Sequence, residues 1–189
     1  MSFPAYHHAR HRAATRSTQQ VAGPPVPVDL LFRTVNLDND DNSVTIDLVE
    51  ILDSNGQVVA GAIKNPSFEY PVMGRGGYQY NPPGADWTFN SQSGISDIDG
   101  PWLYYSGVAD GSQCAYLQVT GATLAQTISL PSRSSYQLRF YALVRNMQNN
   151  SGQIEIHALV NGQELLVAVP PLQARVDHWF DYTTPPFSI

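Results

Sequence analysis

The chain has 189 residues, only 14% of them charged, with 14 glycines and 14 prolines, a composition that favours one β-rich globular domain over a helical bundle or a disordered chain. No run of about 18 apolar residues is present, so we expect no insertion into a membrane. Residues 1–27 carry three arginines and no acidic residue, whereas the remainder has seven basic and 16 acidic residues and a net charge of −9. This acidic body excludes general binding of nucleic acid.

Residues 1–27 are predicted to form an extended arm, because they show no 3.6-residue apolar period and end in the stiff sequence GPPVP. We expect the arm to dock on another protein subunit, either a neighbouring copy or a capsid or tail protein. The residues predicted to make these contacts are Phe3, Tyr6, Arg10, Arg12 and Arg16. The arm also lacks the apolar run of a secretory signal, so we expect either a mature fragment or a protein that reaches its place of work without the secretory route.

Residues 28–189 alternate short apolar, β-branched runs with turn signals, a pattern typical of an all-β sandwich. The clearest predicted strands cover residues 28–37, 43–52, 114–119, 124–130, 136–145, 154–160 and 163–169. The last two form a predicted hairpin about Asn161 and Gly162, which supply the two positive-φ residues of a type I′ turn. Strict alternation predicts one face of the second strand at Val44, Ile46, Leu48 and Glu50, and the other at Thr45, Asp47, Val49 and Ile51. It likewise places Tyr136, Leu138, Phe140, Ala142 and Val144 on one side of their strand.

Seven segments after residue 64 carry a more specific pattern. They read NPSFE (65–69), GYQYNP (77–82), DWTF (86–89), DGSQCAYLQ (110–118), AQTI (125–128), YQLRFYA (136–142) and LVNG (159–162). Together they resemble a family of galactose-binding-like domains of bacterial extracellular proteins, which are similar to carbohydrate-binding modules. The resemblance implies a jelly-roll β-sandwich that binds rather than catalyses, with Trp87 and Phe89 at positions that look like core.

The order of these segments departs from the family pattern. After a segment similar to WFDYTTPPF (179–187), the family continues into two more strands, whereas segments of that type stand here at 29–34 (DLLFRT) and 41–51 (DNSVTIDLVEI). We interpret this as a circular permutation, in which residues 28–52 correspond to the family's last two strands and residues 65–189 to the rest. The two strands are then expected to be adjacent, beside the C-terminal segment. In the alternative, they complete the sandwich of a neighbouring copy.

The sequence contains no Gly-x-Ser-x-Gly, no His-Glu-x-x-His, no phosphate-binding glycine loop and no Cys-x-x-Cys motif. We therefore expect no enzymatic activity. The alternative is glycoside hydrolysis, which uses two carboxylates. Candidates among the loops are Glu69, Asp86, Asp97, Asp99 and Asp110. His157 is expected to have a hydrogen-bonded structural role, and Cys114 to be a buried, inert thiol.

The acidic loop at residues 38–42 is the one candidate for a metal site. Asp38, Asp40 and Asn42 fit the EF-hand spacing, but Ser43 and Val49 stand where glycine and glutamate are required. We therefore predict no metal site and no cofactor. A looser structural calcium site at this loop is the alternative.

Aromatic side chains between residues 71 and 112, a stretch predicted to form long loops between short strands, are the strongest functional lead. Sugar rings present apolar C–H faces that stack on aromatic rings. The predicted glycan contacts are Trp102, Tyr104, Tyr105, Tyr78 and Tyr80. The first three lie outside the family segments, so we expect Trp102, Tyr104 or Tyr105 to expose a ring face. Packing or a protein interface is the alternative.

Two functions follow from these observations. The first is a non-catalytic structural or binding protein of an extracellular assembly, namely a virus or phage particle, in which it acts as a capsid decoration or tail protein docked by its arm and able to hold glycans. The second is a carbohydrate-binding module of a bacterial surface or secreted protein. We favour the first, with localisation in the virion, because a jelly roll without a secretory signal still reaches the exterior inside a virion.

Overall fold

The computed structural model describes residues 22–35, 43–103, 107–145, 153–170 and 178–189. These residues form twelve β-strands and no helix, and the strands make two antiparallel sheets packed face to face. The prediction of an all-β sandwich is confirmed, and the arrangement is compatible with a jelly roll. Within the described ranges, no helix is long and apolar enough to cross a membrane.

Sheet A has five strands, with β1 at its centre. Their spatial order is β10 (Gln163–Ala168), β9 (Gln153–Val160), β1 (Pro25–Val35), β7 (Thr123–Pro131) and β4 (Thr88–Phe89). The strand β1 includes the last three residues of the predicted arm, 25–27. Pro25 and Pro27 are tolerated there because β9 borders β1 only from Asp29 onward, so this stretch is still a sheet edge.

Sheet B has β2 at its centre and β3 at one edge. Its spatial order is β11 (Phe180–Thr183), β8 (Ser135–Arg145), β2 (Ser43–Leu52), β6 (Gln113–Gln118), β5 (Ser93–Asp97) and β3 (Tyr78–Tyr80). A further short strand, β12 (Phe187–Ser188), also pairs with β8. The region predicted as long loops between short strands contains three such strands, of which β3 and β5 extend sheet B.

The core between the sheets is built from alternate residues of the central strands. On β8, the predicted inward face is confirmed, since all five of its residues are buried in the core: Tyr136, Leu138, Phe140, Ala142 and Val144. On β1, Val28, Leu30 and Phe32 have no exposed surface. Burial of alternate side chains on both sheets is what fixes the strand registers.

Four aromatic residues, Phe32, Phe68, Trp87 and Phe140, meet inside the core and are called the inner aromatic group. Phe32 contacts Phe140 edge to face, with ring centroids 5.3 Å apart, and Trp87 packs against Phe68 at the same centroid distance. Trp87 and Phe89 are only 3% and 5% exposed, which confirms the expected core positions.

The prediction that residues 28–52 form two adjacent strands is wrong. The strand β1 lies in sheet A between β9 and β7, whereas β2 lies in sheet B between β8 and β6. Both complete the sandwich of their own chain, one on each side of the core. Successive apolar strands of a sandwich share a core without sharing a sheet, and the alternation of each strand alone does not distinguish the two arrangements.

The predicted faces of β2 are correct only in its first half. The register with β8 shifts between Asp47 and Glu50, and Leu48 adopts a positive φ of 47°. This bulge reverses the alternation, so that Val44 and Ile46 before it, and Val49 and Ile51 after it, all enter the core. The Leu48 N–H donates to the Asp47 side chain at 2.8 Å, which stabilises the irregular backbone.

The predicted hairpin between β9 and β10 is confirmed, with positive φ at both turn residues, Asn161 (51°) and Gly162 (76°). A second turn, at residues 132–134, joins two distant parts of the chain. The Gly23 N–H donates to the Ser132 carbonyl at 2.7 Å, and the Arg133 N–H donates to the Ile189 carbonyl at 2.5 Å. The start of β1 and the last residue therefore lie at the same corner of the sandwich.

Candidate functional site

Tyr78 and Tyr80, two of the predicted glycan contacts, lie on the edge strand β3. Because they are two residues apart on a strand, their side chains point to the same side, away from the core. Their side chains are 50% and 37% exposed. The register places Tyr80 opposite Gly94 on β5, and Gly94 opposite Tyr116 on β6. This row across three strands has a ring at each end and no side chain in the middle.

Gly94 leaves space that a larger residue would fill. A Cβ atom at this position would lie 2.0 Å from the Gln79 carbonyl oxygen and 2.7 Å from Tyr116 Oη. The Tyr116 ring therefore reaches across β5 and meets the Tyr80 ring edge to face, with centroids 5.1 Å apart. Glycine at position 94 is what allows the two tyrosine rings to touch.

Trp102, one of the three residues from which an exposed ring face was expected, does not expose one. It is 6% exposed and stacks on the fully buried Tyr116, with centroids 4.5 Å apart and ring planes 15° apart. The segment that carries Trp102 folds back onto the outer side of sheet B, a long-range contact that local sequence does not reveal. Tyr104 and Tyr105 lie outside the described residues.

Tyr78, Tyr80, Trp102 and Tyr116 form one cluster, called the outer aromatic group. Tyr78 and Tyr80 stand nearly perpendicular to Trp102, at 88° and 82°, and nearly perpendicular to each other, at 83° with centroids 6.1 Å apart. Edge-to-face contacts at these distances are the favourable geometry for aromatic rings. The Tyr80 hydroxyl donates to Gln118 Oε1, and desolvation raises the pKa of Tyr80, so this hydroxyl remains a donor at neutral pH.

A small apolar cluster that includes Leu103 extends the covering of the outer side of sheet B beyond Trp102. Leu103, Cys114 and Leu143 are buried together, with the partly buried Val108 and Trp179 packed against them. Burial raises the pKa of the Cys114 thiol well above its ordinary value, and the expectation of a buried thiol is confirmed. The outer side of sheet B is therefore partly covered by the chain that follows β5.

Asp47 anchors this covering segment to β2 through hydrogen bonds. Its carboxylate, on the outer side of β2, has no exposed surface and accepts the N–H groups of Ala109 and Asp110 at 2.9 and 2.8 Å. Burial raises the pKa of Asp47 from 3.8 to about 7, although these hydrogen bonds act in the opposite direction. A single buried carboxyl group thus joins the centre of sheet B to the segment above it.

Glu69 and Asp110, considered above as hydrolytic candidates, are engaged in structural hydrogen bonds. Glu69 Oε1 accepts the N–H groups of Ser112 and Gln113, both at 2.8 Å. Asp110 Oδ2 accepts the Ser67 hydroxyl at 2.7 Å. These contacts fix the approach of the chain to β6, a positioning role that requires no catalytic function.

Asp97 and Asp99 organise the turn that leads into β3. Asp97 Oδ1 accepts the N–H groups of Gly76 and Asp99, at 2.7 and 3.0 Å. Asp99 in turn accepts from Arg75 Nε at 2.8 Å, in an exposed ion pair. The turn preceding Tyr78 is thereby held in place, and it presents charged, hydrogen-bonding side chains near that end of β3.

His157 has the hydrogen-bonded structural role expected for it. Its Nδ1 lies 2.6 Å from Glu164 Oε1, and its Nε2 lies 3.4 Å from Glu155 Oε2. Glu155 also pairs with Arg33. The cluster links strands β10, β9 and β1 across sheet A, on the opposite sheet from the outer aromatic group.

Within the described ranges, no group of three or more His, Cys, Asp or Glu side chains is arranged to hold a metal ion. The acidic loop at residues 38–42, where the calcium alternative was placed, lies outside the described residues. So do the five predicted docking residues of the arm: Phe3, Tyr6, Arg10, Arg12 and Arg16.

Tyr116, Gly94 and Gln118 belong to the site although the sequence did not single them out. For Tyr116 a signal was available, because alternation along CAYLQ places it with Cys114 and Gln118, on the side opposite Ala115 and Leu117. A tyrosine on the side facing away from the core needs either a covering segment or a ligand. No comparable signal marks Gly94, since its importance depends on the neighbours across the sheet.

The outer aromatic group is the arrangement of described residues best suited to meet a ligand, because it combines two exposed rings with a rigid, buried support. Comparison of the chain with protein-family models, with curated proteins and with solved structures finds no match. The function is therefore argued from the geometry of this group.

Proposed function

We propose that this protein is a non-catalytic binding domain that holds glycans through Tyr78 and Tyr80. The observation that carries the proposal is the pair of exposed rings on one side of β3, supported underneath by the buried stack of Trp102 and Tyr116. Preorganised rings lose little conformational freedom when a ligand binds, so most of the contact energy is available for affinity.

The chemistry around the two rings also fits a sugar. Aromatic faces match the apolar C–H faces of a pyranose, while Gln118, Arg75 and Asp99 offer amide, guanidinium and carboxylate groups near opposite ends of β3. Neutral and charged hydrogen-bonding groups beside an aromatic surface are what sugar hydroxyls require. Among the loop carboxylates, Glu69 and Asp97 accept backbone N–H groups, in keeping with a binding rather than a hydrolytic role.

The proposal includes kinship with galactose-binding-like jelly rolls through a circular permutation. Its support is the turn at residues 132–134, which bonds both Gly23 and Ile189. In an unpermuted relative these two positions would be joined, and here they lie at one corner. Joining residue 189 to residue 24 by a short linker, and opening the chain within 53–64, is then expected to give a folded protein.

The proposal also places the domain in an extracellular assembly, with a virus or phage particle as the favoured setting. The supporting features are the basic arm and the acidic body, whose opposite charges suit docking of the arm on a neighbouring subunit. Particles purified from cultures that produce the protein should contain the full chain and lack a variant without residues 1–21. Equal incorporation of both would contradict docking by the arm while leaving the glycan proposal intact.

Binding by the two rings is tested with a glycan array probed by the full chain. Tyr78→Ala and Tyr80→Ala are each expected to weaken binding about tenfold, equivalent to ~1.4 kcal/mol. Val167→Ala is the matched control, because Val167 is 53% exposed but lies on β10 in sheet A. Its binding is expected to equal that of the wild type.

Thermal melting of each variant accompanies the array, since loss of binding is informative only when the fold is retained. Each substitution removes a ring contact with the buried Trp102 or Tyr116, worth about 0.5–1.5 kcal/mol, so the melting temperatures are expected to fall by only a few degrees. Absence of glycan binding in the wild type, or full binding by the double variant, would overturn the proposal. Because the domain is proposed to bind glycans without hydrolysing them, mass spectrometry should recover the bound glycans intact.

A further inference from the structure

From the ring geometry we infer that the ligand is a single exposed sugar unit, at a chain end or a branch, rather than the flat face of an insoluble polysaccharide. The inference rests on the proposed function and narrows its substrate class. Its basis is the relation between the two exposed rings, whose planes are 83° apart with centroids 6.1 Å apart.

The perpendicular rings of Tyr78 and Tyr80 form an L-shaped corner, whereas a flat binding surface requires rings that lie in one plane. A flat polysaccharide surface gains contact from several rings only when those rings lie in one plane, because each must stack on the same flat array of C–H groups. In this site only one of the two tyrosines is able to lie flat against a given sugar plane. The other ring meets the rim of that sugar, so the pair encloses one unit from two directions.

The perpendicular arrangement is built into the packing of the site. The Tyr80 ring is held by its edge contact with Tyr116 and by the hydrogen bond from its hydroxyl to Gln118. The Tyr78 ring is held by its contact with Trp102, at 6.1 Å and 88°. Turning either exposed ring into the plane of the other would break contacts with buried residues, so the corner is expected to persist when ligand binds.

The backbone of β3 adds hydrogen-bonding groups beside the corner. The Asp97 N–H donates to the Gly77 carbonyl, and the Asn81 N–H donates to the Ser93 carbonyl, both at 2.9 Å. The backbone groups of Gly77 and Asn81 therefore point towards β5. Because the N–H and C=O groups of successive residues on a strand point to opposite edges, those of Tyr78 and Tyr80 point away from β5. Among the described strands none pairs there, which leaves polar groups available to the hydroxyls around a sugar's rim.

The test compares soluble and insoluble ligands for the full-length protein. The soluble arm uses array glycans with methyl glycosides of galactose, glucose and N-acetylglucosamine as competitors. The insoluble arm uses microcrystalline cellulose and crystalline chitin in sedimentation assays. We expect array binding that an excess of one methyl glycoside abolishes, and no retention on either solid. Tyr78→Ala and Tyr80→Ala should each weaken the soluble interaction about tenfold, because both sides of the corner contact the same unit.

Two other results have distinct meanings. Retention on cellulose or chitin that no methyl glycoside reverses, lost in Tyr78→Ala, would overturn the single-unit inference and leave glycan binding by these rings standing. Binding to no glycan in either arm would overturn the proposed function and the inference with it. Val167→Ala serves in both arms as the variant expected to match the wild type.

Discussion

The inner and outer aromatic groups use the same ring geometry for different purposes. In the inner group, Phe32 and Phe140 meet at 86° with centroids 5.3 Å apart, and neither ring has exposed surface. In the outer group, Tyr80 and Tyr116 meet at 85° and 5.1 Å, yet Tyr80 is 37% exposed. Edge-to-face packing therefore does not distinguish a core from a surface site. The difference lies in exposure, and in the hydroxyl groups that three of the four outer residues carry.

Because of this difference, we expect the inner group to affect mainly the free energy of unfolding, and the exposed rings of the outer group to affect mainly glycan binding. Removal of an inner ring leaves a cavity in a close-packed core, whereas removal of an exposed outer ring leaves only water in its place. Trp102 and Tyr116, the buried residues of the outer group, are expected to affect both stability and binding, because they are shielded from water and support the exposed rings. Three substitutions test this graded relation, and a fourth, at Asp47, tests the residue that holds the segment covering sheet B.

Phe140→Ala is expected to have the largest effect. It removes a fully buried ring that contacts Phe32 and Tyr182 in the core, and such changes cost about 3–5 kcal/mol. Urea unfolding should show a much lower midpoint with an unchanged slope. A midpoint close to that of the wild type would show that the inner group is not the stabilising centre.

Trp102→Ala is expected to lower the free energy of unfolding by about 3 kcal/mol and also to weaken glycan binding. The ring is buried against Tyr116, so its loss removes packing and the support for both exposed tyrosines. Calorimetry and the glycan array measure the two effects on one sample. Loss of binding with an unchanged melting temperature would instead mean that Trp102 contacts the ligand directly.

Asp47→Asn is expected to make stability less dependent on pH. The pKa of Asp47 is about 7 in the folded chain against 3.8 ordinarily, so the fold binds this proton more tightly than the unfolded chain does. The stability contributed by the protonated group is complete below about pH 4 and is lost as pH rises to about 7. At pH 8 the amide should therefore be more stable than the wild type, by on the order of 2 kcal/mol.

This gain is smaller than the ~4 kcal/mol that three pKa units represent, because the amide nitrogen is unable to accept the hydrogen bonds that one carboxylate oxygen accepts. Denaturant midpoints at pH 4 and pH 8 provide the measurement, with the difference between variant and wild type expected only at pH 8. Equal pH dependence in both proteins would contradict the role of Asp47.

Tyr116→Phe is expected to have the smallest effect. The Tyr116 hydroxyl is buried and has no hydrogen-bond partner among the described residues, so its removal relieves a desolvation penalty of about 1 kcal/mol. The stack on Trp102 should remain, leaving glycan binding unchanged. A large loss of binding would indicate that the hydroxyl takes part in the site.

The sequence predicted those features that depend on local pattern. Alternation located β8 and its inward residues, and the Asn161-Gly162 pair located the hairpin. Each of these outcomes requires only the period of a strand or the backbone preference of a turn.

Features that depend on distant neighbours were not predictable in this way. The bulge at Leu48 inserts one residue into a regular pattern, and nothing in the apolar periodicity of β2 marks it. Trp102 is buried because Tyr116, 14 residues later, lies beneath it. The division of β1 and β2 between two sheets depends on which strands they meet, a property of the whole fold.

The turn at residues 132–134 also has a mechanical consequence. A pulling force that enters at Gly23 and leaves at Ile189 crosses the protein through this turn and the few hydrogen bonds around it. Beyond these bonds the force reaches the start of β1 at Pro25 and the end of β12 at Ser188, so those paired strand ends would separate next. A domain pulled at these two residues would therefore open from one corner, before the middle of either sheet carries load.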